Sequence, residues 1–148
     1  MNKPLNLVAF DLGASNGRGI LGRFDGEKIQ MEELHRFENN FVEVSGTRYW
    51  DCLNLYQQLK ICLHVFKSKG LGDLHSFGID TWGVDYGLLD KDGQLLGNPR
   101  AYRHAVDEDM ENAWKTVPYE TLFARTGIAT LNFNTVYQLY RRKLAGDA

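Results

Sequence analysis

The chain's clearest chemical constellation lies at residues 9–26, AFDLGASNGRGILGRFDG. Asp11 closes an apolar run and is followed by Gly13, Ala14, Ser15, Asn16 and Gly17, then by Arg18. These are the parts that phosphoryl transfer needs. A carboxylate at a strand end can hold Mg2+, successive N–H groups of a tight turn can cradle phosphate oxygens, and an arginine can offset developing charge. Gly13, Ala14 and Ser15 are small enough for the backbone to turn closely, and Gly17 allows its return. The same pattern also fits an ordinary hairpin with a half-buried aspartate, and the spacing D-x-G-x-x-x-x-R does not by itself choose between them.

Gly17, Gly19 and Gly22 overlap this constellation and spell G-x-G-x-x-G. A dinucleotide fingerprint must sit between a strand and a helix, because the helix N-terminus receives the pyrophosphate. RGILGRFDG holds three glycines and runs into an Asp-Gly turn, so it cannot open an amphipathic helix. The NAD reading is set aside. A Walker-A loop is excluded as well, since no G-K-[S/T] occurs.

The elements that must position these residues follow from pattern. Residues 6–12 read as a short, mostly buried strand, 17–24 extend again, and Asp25-Gly26 marks a turn into a third strand at 28–37. This is an antiparallel meander. Residues 38–50 read as irregular. Asp51 is a fitting N-cap for a helix over 52–68, where Leu55, Leu59, Leu63 and Phe66 recur at helical spacing and Gly70 ends it. A strand at 74–80 returns to the sheet. Residues 84–90 and 94–97 flank Lys91-Asp92-Gly93 as a hairpin. Helices are expected over 107–115, 118–125 and 135–144, with Pro118 at an early position, Gly127 as a stop and Asn134 as an N-cap. The economical architecture is α/β, a mixed sheet flanked by helices.

Composition narrows the function classes. At 148 residues, 43% hydrophobic and 24% charged, the chain suits one compact domain rather than a disordered segment. A net charge of −2 offers no broad electrostatic case for nucleic acid or an anionic membrane. Arg141-Arg142-Lys143 reads as the last turn of a helix, where cations favour the dipole. Cys52 and Cys62 on one helix would project about 80° apart with a rise of ~15 Å, so they cannot bridge within it. No Cys/His cluster has zinc spacing. His35, His64, His75 and His104 show no partner pattern. The N-terminus lacks a signal peptide's apolar stretch and nothing approaches transmembrane length, so a reduced, cytoplasmic protein is expected.

A second stretch, GIDTWGVDYGLLDKDGQLLGNPRAYR (78–103), changes the weight of the first. Together with DLGASNGR and TGIATLNFNTVYQLYRRK (126–143), it resembles the FGGY carbohydrate kinases, and within them the members acting on L-rhamnulose. The resemblance runs from about residue 7 to residue 144. DTWGVDYGLLD, followed by Asp-Gly and NPxxYR, is its specific part, whereas DLGAS alone would fit the wider superfamily of sugar kinases, actin and Hsp70. It implies a ribonuclease H-like first domain, here incomplete over 1–148, and a second domain across a cleft. It also implies transfer of the γ-phosphate of ATP to a ketose or polyol hydroxyl. Asp11 is then expected near Mg2+, with Gly13, Ala14, Ser15, Asn16, Gly17 and Arg18 at the ATP phosphates. Arg18 would stabilise charge during catalysis.

The resemblance places Thr81, Trp82, Gly83 and Val84 near the sugar, with Tyr102, Arg103, Phe133 and Asn134 around the same pocket. The residue types suit this. Trp82 and Tyr102 offer flat faces to C–H surfaces, Asn134, Gln138 and Arg103 offer hydrogen bonds, and Gly83 would let the sugar reach the main chain. Trp82 and Phe133 fit plain core packing too, and Gln138 fits a solvated helix face. Asp80 and Asp85 flank this segment, one suited to a pocket and the other to capping a turn. Asp80, at a strand end, is the expected functional one. After Tyr102-Arg103 the chain reads His104-Ala105-Val106-Asp107, where the L-rhamnulose members are expected to carry Y-R-D and then an R-T pair. This leaves L-fuculose, xylulose or a related sugar open as substrate, and a non-catalytic binding or assembly module open as a role. The catalytic base, an aspartate, and most of the adenosine pocket are expected in polypeptide outside this chain. The missing domain of the same protein is thus an implied partner. Alone, the 148 residues are expected to be inactive and to self-associate.

Overall fold

The computed structural model describes residues 4–146. The chain divides into two compact units, Met1–Phe41 with Asp51–Gly83, and Val42–Trp50 with Val84–Ala148.

The first unit is a four-stranded sheet with one helix on it. Strands β1 (Leu5–Leu12), β2 (Asn16–Phe24) and β3 (Ile29–Glu38) form the expected meander, and β6 (Leu74–Thr81) pairs with β1. The order is β3-β2-β1-β6, with β1–β2 and β2–β3 antiparallel and β1–β6 parallel. Alternation decides which face is covered. Asn6, Val8, Phe10 and Leu12 of β1 are buried, whereas Leu5 and Ala9 are exposed. The strand is thus covered on one face rather than mostly buried, as its apolar run suggested.

Helix α1 (Cys52–Ser68) covers that face with Leu55, Cys62 and Phe66, and Asp51 caps it by accepting from the Asn54 N–H at 3.0 Å. The core joins Val8, Phe10, Leu21, Leu34, Cys62 and Phe66. Its tight packing explains two of the glycines. A Cβ on Gly19 would overlap the Cys62 thiol, and one on Gly17 would run into the Phe37 ring. The G-x-G spacing here lets a helix and a neighbouring strand's ring approach the sheet closely. Burial also pushes the Cys62 thiol above its usual range. Asn6, buried at the start of β1, donates to the carbonyls of Leu71 (2.8 Å) and Asp73 (3.1 Å) and so ties down the return to β6.

The second unit corrects two expectations. Residues 38–50 are not irregular throughout. They form a hairpin, β4 (Phe41–Val44) and β5 (Thr47–Trp50), turned by Ser45 and Gly46 at φ 50° and 76°. Four-residue strands with exposed outer positions are too short to show a period. Conversely, 84–90 and 94–97 do not form two strands. They meet at one antiparallel bridge, Leu89 to Leu95, closed by Asp90 N to Gln94 O at 2.9 Å. β5 is flanked by residues 99–101, inside the NPxxYR motif, through Trp50 N to Pro99 O and Ala101 N to Arg48 O, both 2.8 Å. One turn of 3₁₀ helix at Tyr102–His104 follows, then α2 (Asp107–Trp114), α3 (Tyr119–Thr126) and α4 (Thr135–Ala145). Gly127 and Gly146 end the last two in the left-handed region. Trp114 Nε1 donates to the hydroxyl of buried Tyr137 at 3.2 Å, locking α2 to α4.

Candidate functional site

The β1–β2 connection brings the acidic, small and basic residues of the first motif together. Antiparallel pairing sets Asp11 opposite Arg18, and parallel pairing sets Asp80 on the other side of Asp11. Arg36 of β3 pairs with Arg18. Directly paired residues share a face, so Arg36, Arg18, Asp11 and Asp80 form one row across the sheet, on the side away from α1. Arg18 Nη2 and Nε lie 2.7 and 2.8 Å from Asp11 Oδ2. Arg36 pairs with Glu33 at 2.5 Å, and Glu33, with Asp11 further off, holds the guanidinium above its usual range.

The turn itself is held from outside. Gly13 N donates to Asn16 O at 3.0 Å, and a Cβ on Gly13 would lie 2.9 Å from that same oxygen. Asn39, just past β3 and only 4% exposed, donates Nδ2 to Gly13 O at 2.7 Å and its main-chain N to Ser15 O at 3.0 Å. Two carbonyls are thereby drawn toward Asn39. The amides of Ala14 and Ser15 have no acceptor among the described residues, which suits them to an anion. Asn39 was not singled out from sequence. Its only signal there is a polar Asn-Asn pair after an alternating strand, and its contact lies 26 residues upstream. Of the residues assigned to phosphate, Gly17 sits on the buried face under Phe37, so packing accounts for it. Asn16 accepts from Arg36 Nη1 at 3.1 Å through its side chain.

The residues assigned to the sugar divide between the units. In the first, Asp80, Thr81 and Gly83 are exposed, Trp82 is half-buried, and a Cβ on Gly83 would meet open space. The sheet register puts Asp80 beside Asp11.

In the second unit, Tyr102 and Phe133 meet edge to face at 5.4 Å, with Trp50 tilted against Tyr102 at 6.4 Å. Exposed Arg103 donates Nε to the Tyr102 hydroxyl at 3.3 Å. Asn134 occupies the N-cap position of α4, but its Oδ1 accepts from Leu131 N (2.6 Å) in the preceding turn. The Gln138 amide nitrogen points inward, to Phe133 O at 2.8 Å, Val84 O at 3.2 Å and Asp85 Oδ1 at 3.5 Å. Gln138 is therefore not a solvated helix residue. His104 lies against Arg141, and burial first, then the charges of Arg141, Arg100 and Arg48, push its imidazole below the usual range. Among the described residues no group of three or more His, Cys, Asp or Glu could hold a metal ion, and no helix is long and apolar enough to cross a membrane.

No model of a protein family matches the chain. Over 138 residues it is 45% identical to a rhamnulokinase of Mannheimia succiniciproducens, covering 91% of this chain and 28% of that protein. A rhamnulokinase of Bacteroides thetaiotaomicron is 43% identical over 136 residues, covering 90% and 28%. The chain thus spans about 28% of the length of these curated relatives. A gluconate kinase from Lactobacillus acidophilus superposes with a TM-score of 0.78 at 14% identity, over 95% of this chain and 28% of that one. A xylulose kinase of the same organism superposes at 0.77 and 14%, over 93% and 28%. The fold is ribonuclease H-like. That sheet, found in the actin-like ATPase superfamily, accounts for the β3-β2-β1-β6 order with β6 parallel to β1. In this ribonuclease H-like unit the ends of β1 and β6 set Asp11 and Asp80 opposite each other in register.

Proposed function

We propose that this chain is the N-terminal portion of an ATP-dependent FGGY-type sugar kinase, and that the intact cytoplasmic enzyme converts L-rhamnulose to L-rhamnulose 1-phosphate. The observation that carries the kinase reading is the β1–β2 turn, whose Ala14 and Ser15 amides have no acceptor among the described residues and which has the Asp11–Arg18 pair at its base. The choice of sugar rests on relatives named rhamnulokinase at 40–45% identity.

The residues fit Mg2+ and a triphosphate. Mg2+ keeps several waters and takes one or two carboxylates plus substrate phosphates, so it needs no closed protein cage. Asp11 would hold it, directly or through water, and Asp80, its register partner on β6, would add a second carboxylate. Bound Mg2+–ATP supplies the phosphoryl group and neutralises part of its charge. The turn amides of Ala14 and Ser15 orient phosphate oxygens. Arg18 places a fixed positive charge one strand from Asp11, where charge spreads over the transferred group. Thr81, Trp82 and Gly83 in the first unit are proposed to contact sugar. So, in the second, are the Tyr102 and Phe133 rings and the donors of Arg103 and Asn134. Gln138 and Val84 shape that surface from behind. The aspartate that deprotonates the sugar hydroxyl is assigned to the remainder of the protein.

Substrate profiling of the intact enzyme tests this. A clear preference for L-rhamnulose over L-fuculose, xylulose, gluconate and glycerol is expected. Preference for one of the others rejects the sugar assignment and keeps the kinase. Absence of phosphoryl transfer to any of them favours a non-catalytic module.

A further inference from the structure

The sequence motif DTWGVDYG contains two aspartates, and the structure gives the second an occupation of its own. Asp85 receives donors from three separate parts of the second unit. Its Oδ2 accepts from the indole Nε1 of Trp50 and from the main-chain N of Tyr102 at 3.3 Å, and its Oδ1 faces Gln138 Nε2 at 3.5 Å. Trp50 is 1% exposed, so its indole N–H finds its partner inside the protein. Gln138 carries the connection onward to Val84 O (3.2 Å) and Phe133 O (2.8 Å), and Thr135 Oγ1 adds a second donor to Val84 O at 2.6 Å.

We propose that Asp85 is the positioning residue that sets the spacing between Tyr102, Phe133 and Val84, and through them the sugar-reading surface of the second unit. This rests on the reading of that surface given above. An ionised carboxylate is acceptor-only on both oxygens, which matches donors arriving from both sides. An asparagine cannot do the same. With its oxygen toward Trp50 and Tyr102, its amide nitrogen meets that of Gln138. Rotated, it meets the indole and the Tyr102 N–H instead. If Gln138 turns to relieve the first clash, it gives up Val84 O and Phe133 O. In each orientation one side of the residue then faces a donor it cannot accept from, the Gln138 amide in the first and the indole and Tyr102 N–H in the second.

The experiment is Asp85→Asn in the intact kinase, with steady-state kinetics for both substrates and NMR of the Tyr102 amide and the Phe133 ring. The sugar KM should rise at least tenfold while the ATP KM stays within twofold, and the Tyr102 and Phe133 resonances should move. A merely destabilised enzyme would lose active fraction, lowering kcat with both KM values unchanged. Sugar KM within twofold of wild type, with both resonances in place, overturns the proposal. Should the wild-type enzyme phosphorylate no ketose, the functional reading fails by itself. The resonances then decide: movement in Asp85→Asn supports the positioning role and stasis overturns it. Should Asp85→Asn not fold, Gln138→Met removes at similar volume the amide that links Asp85 to Val84 O and Phe133 O. It should raise the sugar KM at least threefold and shift the Phe133 ring, and an unchanged KM and ring overturn the proposal.

Discussion

Replacing Asn39 by alanine asks whether a residue remote from the turn in sequence holds it in shape. The side chain is almost wholly buried and makes one short bond, Nδ2 to Gly13 O at 2.7 Å. Alanine leaves the main-chain bond to Ser15 O intact and removes only this donor. A buried carbonyl deprived of its partner costs about 1–3 kcal/mol. At about 1.4 kcal/mol per tenfold, a ~2 kcal/mol loss expressed in the turn would weaken phosphate binding roughly thirtyfold, and half of it about fivefold. Denaturant unfolding of the chain should therefore show a loss of about 1–3 kcal/mol. In the intact enzyme the ATP KM should rise at least about fivefold, on the same conversion, with the sugar KM unmoved. Asn39→Asp should be worse, because an acceptor replaces the donor facing Gly13 O and a negative charge arrives beside the phosphate turn. A stability change under about 0.5 kcal/mol, the level of an ordinary surface substitution, together with an unchanged ATP KM would refute the reasoning.

Other outcomes follow from the same structure. Arg18→Ala in the intact enzyme should lower kcat by about a hundredfold or more, as lost electrostatic stabilisers do. It should change stability by at most about 1 kcal/mol, since its pair with Asp11 is exposed, and near-normal turnover would remove Arg18 from the site. Gly19→Ala should cost about 1–3 kcal/mol by forcing a methyl against Cys62, and Cys62→Ala in the same chain should restore part of that. Calorimetric melting of the single and double variants checks this. Glu32 is held below the ordinary glutamate range, first by the Lys69 hydrogen bond and charge and then by Arg23. Its contribution is thus complete above the unfolded value and is lost as pH falls through the lower folded one. Between pH 6 and about pH 3, Glu32→Gln should lose less stability than wild type, and equal losses would contradict the assignment. The 148-residue chain alone should release no ADP in response to L-rhamnulose, because it offers one wall of the site. It should also associate in light scattering, since β6 is an unpaired sheet edge that leaves Phe77 and Ile79 more than half exposed. Sugar-dependent ADP release or a monodisperse monomer would overturn the respective claim.

Local interactions were legible in the sequence because they act over a few residues. The helix at 52–68 matches to the residue, since its cap Asp51, its apolar stripe and its Gly70 stop all lie within one short segment. The antiparallel meander was legible as well, because short turns join neighbouring extended runs, but the register that sets Asp11 opposite Arg18 came from the structure. What only the tertiary structure decided lies between distant segments. Asn39 reaches back 26 residues to the phosphate turn, Asp80 arrives beside Asp11 through a parallel crossover, and Asp85 collects donors from residues 35 before it and 17 and 53 after it. Residue type alone could not tell Asp80 from Asp85. Both are aspartates flanking the same glycine, and each acquires its role from the side chains and strands that folding brings against it. Gly17 and Gly19 carry the same lesson, because only the approach of Phe37 and Cys62 explains why a side chain is not accommodated there.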